Sequence, residues 1–382
     1  MPAAATPTNL SPAELSYLQT SLSQSPPIRP DSRLSTEFRP LRAETDILPS
    51  CNGSAHVSLA DGSEAIVGVK AEVEKTAELR GAARLQGETG VQRDDEMEID
   101  DLDSSVNNAS RARGNPDWIS LSVDISTLRE DDPHLNFLSE VLREPLLTSS
   151  HSPSSSTSLA DTLAINQTWH WHLFIDVLLI SPFSASRGAT SPLPLLSLAT
   201  HLALRSTRLP RLKSQGEEDP LVDDDWESSV FLFPKPDLKG KGASTGEGGQ
   251  LGRMMRTPPV TLLVMTVSEN MIFDPSHAEL AVADAVLAIS VGWVDIGGSS
   301  GPRILSIRTL ETPARDTMKG VPRTTSKGQD GQLVPGVWSP RAGGIKQQML
   351  KNVTKAVLGD GREGNAGMAK EVLDGLEAFL RI

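Results

Sequence analysis

The sequence is poor in cysteine, in aromatic residues, in basic residues relative to acidic ones, and in long apolar runs. Its single cysteine, Cys51, excludes an intramolecular disulfide framework and is typical of a reducing compartment. Lysine and arginine number 36 against 49 acidic residues, a net charge of −13 that opposes autonomous binding of nucleic acid. No apolar run is long enough to span a membrane, and the amino-terminal residues lack the features of a signal peptide. We therefore expect a soluble, intracellular protein with no membrane partner.

Low aromatic content, 4% of the chain, combines with abundant serine, proline and glycine, so part of the chain is predicted to be unstructured. Disordered insertions are predicted at about 75–116 and 148–166. The predicted organisation is a leading helix in 1–27, a first domain in 28–211, a linker with a short strand in 212–257, a second domain in 258–310, a flexible segment in 311–343, and closing helices in 344–382.

The start of the first domain has the clearest local patterns. Residues 11–14 form a capping box with proline in the first turn, followed by an apolar stripe that must dock on the domain or on a neighbouring subunit. Strict alternation over residues 64–73 predicts a half-buried strand, and Asp61-Gly62 is a hairpin turn that joins it to an earlier strand at about 54–60. With an arm at about 41–47, these strands predict an antiparallel meander.

The rest of the chain alternates between strand and helix patterns. Residues 118–125 and 169–179 read as strands, and each is followed by a helical apolar stripe; the second of these helices is predicted to have Ser191 as N-cap and Pro192 at its first position. The second half reads as further strands, the last at about 304–307, and two closing helices. The fold class is therefore predicted to be α+β.

Two histidines are the strongest candidate for a metal site in the sequence. His170 and His172 alternate along one strand and so face the same side. No third ligand lies nearby at metal-site spacing, so we favour polar positions on a partly exposed sheet face. The acidic run at 94–103 lacks the spacing and glycine of a calcium loop. There is no Walker A motif, nucleophile elbow or Cys/His cluster, and no metal or cofactor is predicted.

Several separated motifs resemble those of RNase PH-like proteins, and in particular the ring subunits of the RNA exosome. They are R-P-D-x-R at 29–33, F-R-P at 38–40, N-G-S-A at 52–55 and V-x-V-K-A-E-V at 67–73, with further pieces at 174–180, 206–210 and 271–279. The resemblance implies an RNase PH-like fold, with a ribosomal protein S5 domain 2-like first domain and a smaller C-terminal α/β domain.

Active relatives cleave RNA from its 3′ end with phosphate, and the positions of their acidic pair fall here on Leu280 and Val286. Neither side chain transfers a proton. The motif residues Asp274 and Glu279 are retained, and we interpret them as beginning or capping a helix or pairing with an arginine. Asp284 lies two residues short of the second position, which on a helix turns it about 200° away.

The phosphate cradle and the RNA-facing arginines of active relatives are also incomplete. At the cradle position, Arg187 is present but not in cradle order, and Pro192 and Pro194 remove backbone donors. On the arginine-bearing helix only Arg143 remains, and Glu140 replaces another arginine. Arg143 and Arg187 are therefore the candidate RNA contacts.

The resemblance implies a non-catalytic ring subunit that supports 3′–5′ RNA processing and decay, including maturation of ribosomal RNA. The implied partners are other RNase PH-like exosome subunits, cap proteins with S1 and KH domains, a hydrolytic nuclease, and single-stranded RNA in the assembled pore. The implied locations are nucleus, nucleolus and cytoplasm. Two alternatives stay open: an active phosphate-dependent exoribonuclease, and a pseudoenzyme that keeps a phosphate or RNA regulatory site.

Overall fold

A computed structural model provides the structure of the chain. None of the helices in its described part has the length and apolar character needed to cross a membrane. Arg187 and the predicted flexible segment at 311–343 lie outside that part. The structure describes residues 10–76, 114–147, 159–166, 168–181, 192–213, 219–233, 257–296, 299–310, 344–359 and 367–380.

The first sheet has five strands in the order β1-β2-β3-β5-β4, with β4 parallel to β5 and the other pairs antiparallel. The predicted meander is present as its first three strands. The alternation in β3 buries Ala65, Val67 and Val69, and Gly62, with φ of 82°, closes the turn before it. The strands are β1 Leu41–Thr45, β2 Gly53–Leu59, β3 Glu64–Lys75, β4 Ile119–Ile125 and β5 Trp169–Leu179.

The second sheet is antiparallel, with strands in the order β11-β10-β8-β9. Its last strand was predicted at about 304–307 and is longer, because β11 pairs with β10 along the whole hairpin and an edge strand tolerates polar residues. A small separate ladder pairs β6 with β7 in the predicted linker. The strands are β6 Arg208–Leu209, β7 Val230–Phe231, β8 Val260–Val267, β9 Asn270–Phe273, β10 Ala285–Ile296 and β11 Ser299–Leu310.

Helices cover the buried faces of both sheets, and a single buried apolar cluster runs through them. The capping box of the first helix forms as predicted, and the apolar stripe of that helix (Leu15, Leu18, Leu22) is buried within this chain, which settles where it docks. The helices are α1 Pro12–Leu22, α2 Pro133–Leu147, α3 Leu159–Thr162, α4 Leu193–Ser206, α5 His277–Leu280, α6 Gln347–Leu358 and α7 Met368–Phe379.

Three predicted boundaries differ from the structure. The N-cap of α4 is Pro192 rather than Ser191, with no side-chain capping bond. The predicted insertions at about 75–116 and 148–166 are too long at their ends, since β3 reaches Lys75 and a short 3-10 helix occupies Pro116–Trp118. Residues 159–166 are ordered because the apolar side chains of α3 and its neighbour are buried (Leu159, Ala160, Leu163).

Helix α4 is hydrogen-bonded to both sheets. Near its start, Ser197 Oγ accepts a bond of 2.7 Å from the backbone N–H of Thr261 in β8. Near its end, Ser206 Oγ accepts a bond of 3.0 Å from the N–H of Ser54 in β2. The helix is buried along nearly all of its length, so these hydroxyl bonds lie in the core and fix how the two sheets sit on either side of it.

A buried ion pair joins the segment before β1 to α5, the short helix between strands β9 and β10 of the second sheet. Arg29 Nε and Nη2 donate to the two carboxylate oxygens of Glu279 at 2.8 and 2.9 Å, and both side chains are fully buried. The same guanidinium donates to the backbone carbonyls of Leu34, Phe273 and Asp274. A bidentate geometry with every donor occupied is what makes such a buried pair tolerable.

Asp274, which lies in the same 271–279 motif as Glu279, forms ion pairs with two more arginines. Arg39 Nη2 lies 2.6 Å from Oδ1, and Arg33 Nη1 lies 3.0 Å from Oδ2. Burial lowers the pKa of Arg39, but its hydrogen bonds and charge pairs, first with Asp274 and then with Asp61, more than offset this and raise it. Asp274 itself has φ of 45°, a left-handed backbone that its many contacts hold in place.

We expect Glu279→Gln to lower the free energy of unfolding by about 3–5 kcal/mol, because it leaves the Arg29 charge buried without its partner. Glutamine can still accept the hydrogen bond that caps α5, so the loss of stability reports the missing charge rather than a missing cap. Urea unfolding followed by tryptophan fluorescence measures it. The control is Glu44→Gln, which breaks the exposed pair with Arg42 and is expected to cost at most about 1 kcal/mol. Equal losses in the two variants would contradict the prediction.

His201 of α4 should make stability depend on pH. Burial, together with the Arg205 guanidinium, lowers the pKa of His201 to about 4, while Nδ1 donates to the Pro258 carbonyl at 2.8 Å. The unfolded chain therefore takes up a proton that the folded chain excludes, and stability is lost as the pH falls from about 6.5 to about 4. The full effect is on the order of 3 kcal/mol. Urea unfolding at a series of pH values should show a flatter profile for His201→Asn, whose amide replaces the Nδ1 donor; an unchanged profile would refute this.

Candidate catalytic and metal-binding positions

The two positions that would carry the acidic pair are core positions in this chain. Leu280 ends α5 and Val286 lies in β10, and both side chains are fully buried. Their surroundings belong to the continuous apolar cluster. Neither position offers a group that accepts or donates a proton, and neither is exposed to a substrate.

Asp284 does not lie on a helix, as the sequence interpretation had it, but in the turn between α5 and β10. Its carboxylate accepts a bond of 2.7 Å from the backbone N–H of Ser268, and its own N–H donates to the Thr266 carbonyl. Ser268 has φ of 56°, so the carboxylate supports the tight β8–β9 turn. The helical rotation argument therefore does not apply, since α5 ends at Leu280.

The interpretation of Asp274 and Glu279 as structural residues is confirmed. Glu279 completes a capping box with Ser276 at the start of α5, accepting the Ser276 N–H at 2.6 Å, and also pairs with Arg29. Asp274 is surrounded by Arg33 and Arg39. Both carboxylates are thus occupied by cations and backbone donors of their own chain.

Arg143, one of the two candidate RNA contacts, makes its hydrogen bonds inside the chain. Its Nε donates to the Ile119 carbonyl and its Nη2 to the Pro116 carbonyl, both at 2.9 Å, and Glu140 lies 3.8 Å from Nη1. These bonds tie α2 to the start of β4. A role in RNA contact stays a prediction for Arg143, and Arg187 lies outside the described residues.

The described part of the cradle position is buried rather than open. Pro192 caps α4 without a side-chain bond, and Leu193, Pro194, Leu195 and Leu196 follow as buried residues. The N–H of Leu196 already donates to the Pro192 carbonyl and is not available to an anion. The leucine side chains of the first turn are buried in the apolar core. The rest of the cradle sequence, 182–191, lies outside the described residues.

The two histidines of β5 do have a third ligand beside them, which corrects the sequence interpretation. The antiparallel register places Glu74 of β3 opposite His170. Glu74 Oε2 lies 3.0 Å from His172 Nδ1 and 3.8 Å from His170 Nε2. The sequence showed only part of this cluster, the alternation that places the two histidines on one side of the strand. The other half is a strand register between residues 98 apart in the chain, which no local pattern reveals.

Aromatic rings hold both imidazoles in place. Trp118 stacks on His170 with ring centroids 4.3 Å apart, and Phe174 stacks on His172 at 4.2 Å. Burial is the main cause that lowers the pKa of His170, with Glu74 acting in the opposite direction. Among the described residues, these three side chains are the one cluster of metal-ligating groups that lie within reach of a single ion.

Comparison with known proteins gives consistent matches to one family. The model for the 3′ exoribonuclease family, domain 1, matches residues 37–210. The exosome complex component RRP42 of Saccharomyces cerevisiae is 30% identical over 282 residues, covering 74% of this chain and 81% of the relative. Its counterpart rrp42 of Schizosaccharomyces pombe is 29% identical over 296 residues, covering 74% and 78%.

Among solved structures, an archaeal exosome core matches with a TM-score of 0.49 and 14% identity, over 97% of this chain and 96% of that one. The expected fold class, α+β and RNase PH-like, is confirmed. The resemblance of the sequence motifs to exosome ring subunits is also confirmed, and within that group the motifs are most like those of ribosomal RNA-processing protein forty-two. The chain therefore belongs to the RNase PH-like family and is similar to its RRP42 members.

Proposed function

We propose that this chain is a non-catalytic, structural ring subunit of an RNA exosome, supporting 3′–5′ RNA processing and decay, including maturation of ribosomal RNA. The observation that carries this is the burial of Leu280 and Val286 at the positions of the acidic pair. Membership of a family whose relatives are named as exosome components supplies the setting.

Loss of catalysis follows from the chemistry that phosphorolysis needs. The reaction requires an acidic group near the leaving oxygen and donors that hold the attacking phosphate. The carboxylates closest in sequence to Leu280 and Val286 are Glu279 and Asp284, and both accept hydrogen bonds from backbone N–H groups of their own chain. The net charge of −13 also opposes tight binding of RNA by this chain alone.

The proposed partners are other RNase PH-like exosome subunits, cap proteins with S1 and KH domains, a hydrolytic nuclease, and single-stranded RNA that passes through the assembled pore. The proposed locations are nucleus, nucleolus and cytoplasm. The closing helices and α1 bury their apolar stripes within the chain, so those stripes are not available to a neighbouring subunit. A better candidate is the apolar end of the open face of the first sheet, where Leu178 and Ile180 are 40% and 42% exposed.

The ring role predicts stoichiometric assembly. Co-expression of the tagged chain with RNase PH-like exosome subunits of the same organism should yield a complex with one copy of this chain, resolved by native mass spectrometry. Leu178→Asp should weaken that complex, because it places a charge in an apolar interface, while Glu44→Gln at an exposed pair should not. A monodisperse monomer that ignores these subunits would overturn the ring role.

The absence of catalysis is tested separately. The purified chain, incubated with single-stranded RNA, phosphate and magnesium, should release no nucleoside diphosphate above a tag-only control. Leu280→Asp with Val286→Asp should stay inactive and lose several kcal/mol of stability, because each places a carboxylate in the apolar core. Phosphate-dependent release by the unmodified chain would instead support the active exoribonuclease.

A further inference from the structure

The histidine–glutamate cluster lies away from the catalytic positions, on the opposite side of the first sheet from α4. Its three side chains project from the end of β3 and the start of β5, on the face of the sheet that includes the half-exposed Leu178. The positions discussed above for RNA chemistry do not use it.

Each imidazole is oriented by a hydroxyl group on the side away from Glu74. Thr76 Oγ1 lies 3.0 Å from His170 Nδ1, and Ser120 Oγ lies 2.8 Å from His172 Nε2. When these hydroxyls accept the ring N–H, the lone pairs of His170 Nε2 and His172 Nδ1 point to the carboxylate. Orientation of a ligating histidine through its other nitrogen is the usual arrangement around protein-bound metals.

The spacing of the three ligand atoms suits a small, tetrahedral ion. All three lie within 4.8 Å of one another, with 3.0 and 3.8 Å to Glu74 Oε2. Two ligands bound tetrahedrally at the usual zinc–nitrogen distance lie roughly 3.3–3.4 Å apart, so the two distances to Glu74 need to change by less than about half an ångström. The two imidazole nitrogens lie at most 4.8 Å apart and would close by up to about 1.5 Å when they share an ion. The rings are already held by stacking on Trp118 and Phe174.

We propose that Glu74, His170 and His172 form a binding site for a divalent transition-metal ion, with Zn²⁺ as the best fit. Two imidazoles and one carboxylate are a zinc donor set, whereas Mg²⁺ and Ca²⁺ prefer oxygen ligands throughout. Glu74 is 44% exposed while His170 is nearly buried, so solvent reaches the site from the glutamate side and fills the fourth position.

The ion would fasten three strands at one end of the first sheet. Glu74 comes from the end of β3, both histidines come from β5, and Ser120 of β4 orients one of them. The chain leaves the described structure two residues after Lys75 and returns at Gly114. A bound ion would therefore stabilise the strand ends at the base of that connection, adding a term that depends on ion concentration.

A metal titration of the full-length chain tests the proposal. After treatment with a chelator and its removal, Zn²⁺ is titrated calorimetrically, and Co²⁺ absorption reports the geometry. We expect one equivalent of Zn²⁺ to bind, a rise in thermal unfolding temperature with Zn²⁺, and a tetrahedral Co²⁺ spectrum. Glu74→Gln and His172→Gln should each weaken binding by about tenfold or more, since each removes a direct ligand.

The matched control is His56→Gln, on the same sheet. His56 Nε2 lies 3.8 Å from Glu64 Oε2, so it forms a histidine–glutamate pair without a second histidine, and its loss should leave Zn²⁺ affinity unchanged. Glu74→Gln is the decisive variant, because the half-exposed position can change without unfolding the chain. Failure to bind Zn²⁺, or binding that survives both ligand substitutions, would reduce the cluster to an ordinary ion pair.

Discussion

The buried pair between Arg29 and Glu279 is the interaction on which the arrangement of the chain depends. It connects a segment that precedes the first sheet to the helix that follows β9, and it lies entirely out of water. A charge in such a place is tolerable only while its partner is present. The adjacent carboxylate of Asp274 collects Arg33 and Arg39 in the same way. The arginine-rich motif that resembles an RNA-processing family thus acts here as internal architecture.

This use of the motif makes its structural residues independent of any catalytic role. Asp274 and Glu279 are structural residues, because losing either carboxylate would leave a guanidinium group inside the protein without its charged partner. Leu280 and Val286 compensate no charged group, and their apolar side chains form part of the buried apolar cluster. Residues of one short stretch can therefore follow opposite constraints. The carboxylates are kept by the arginines, while the neighbouring positions are free to join the core.

Local patterns in the sequence predicted the parts of the fold that depend on neighbouring residues. The alternation of β3 and the capping box and apolar stripe of α1 were all readable, because each is set within about ten residues. What could not be read depends on distant pairing. The register that brings Glu74 to His170 joins separate parts of the chain, and α3 packs against α2 with its apolar side chains buried. Asp284 was misplaced because the end of α5 has no glycine or proline to mark it.

The long reach of the N-terminal contacts has a consequence for biosynthesis. Arg29 and Glu279 are 250 residues apart, and Asn270 bonds the carbonyl of Leu22, at the end of α1, across 248 residues. At roughly 5–20 residues per second, a ribosome needs on the order of 12–50 s to deliver the partners that these early residues await. During that interval the first strands can pair, but the opening helix and the arginine segment have nothing to close on. The contacts of Arg29 and of the end of α1 can therefore form only after the second sheet has been synthesised, and a nascent chain stalled before Glu279 would remain a client for chaperones.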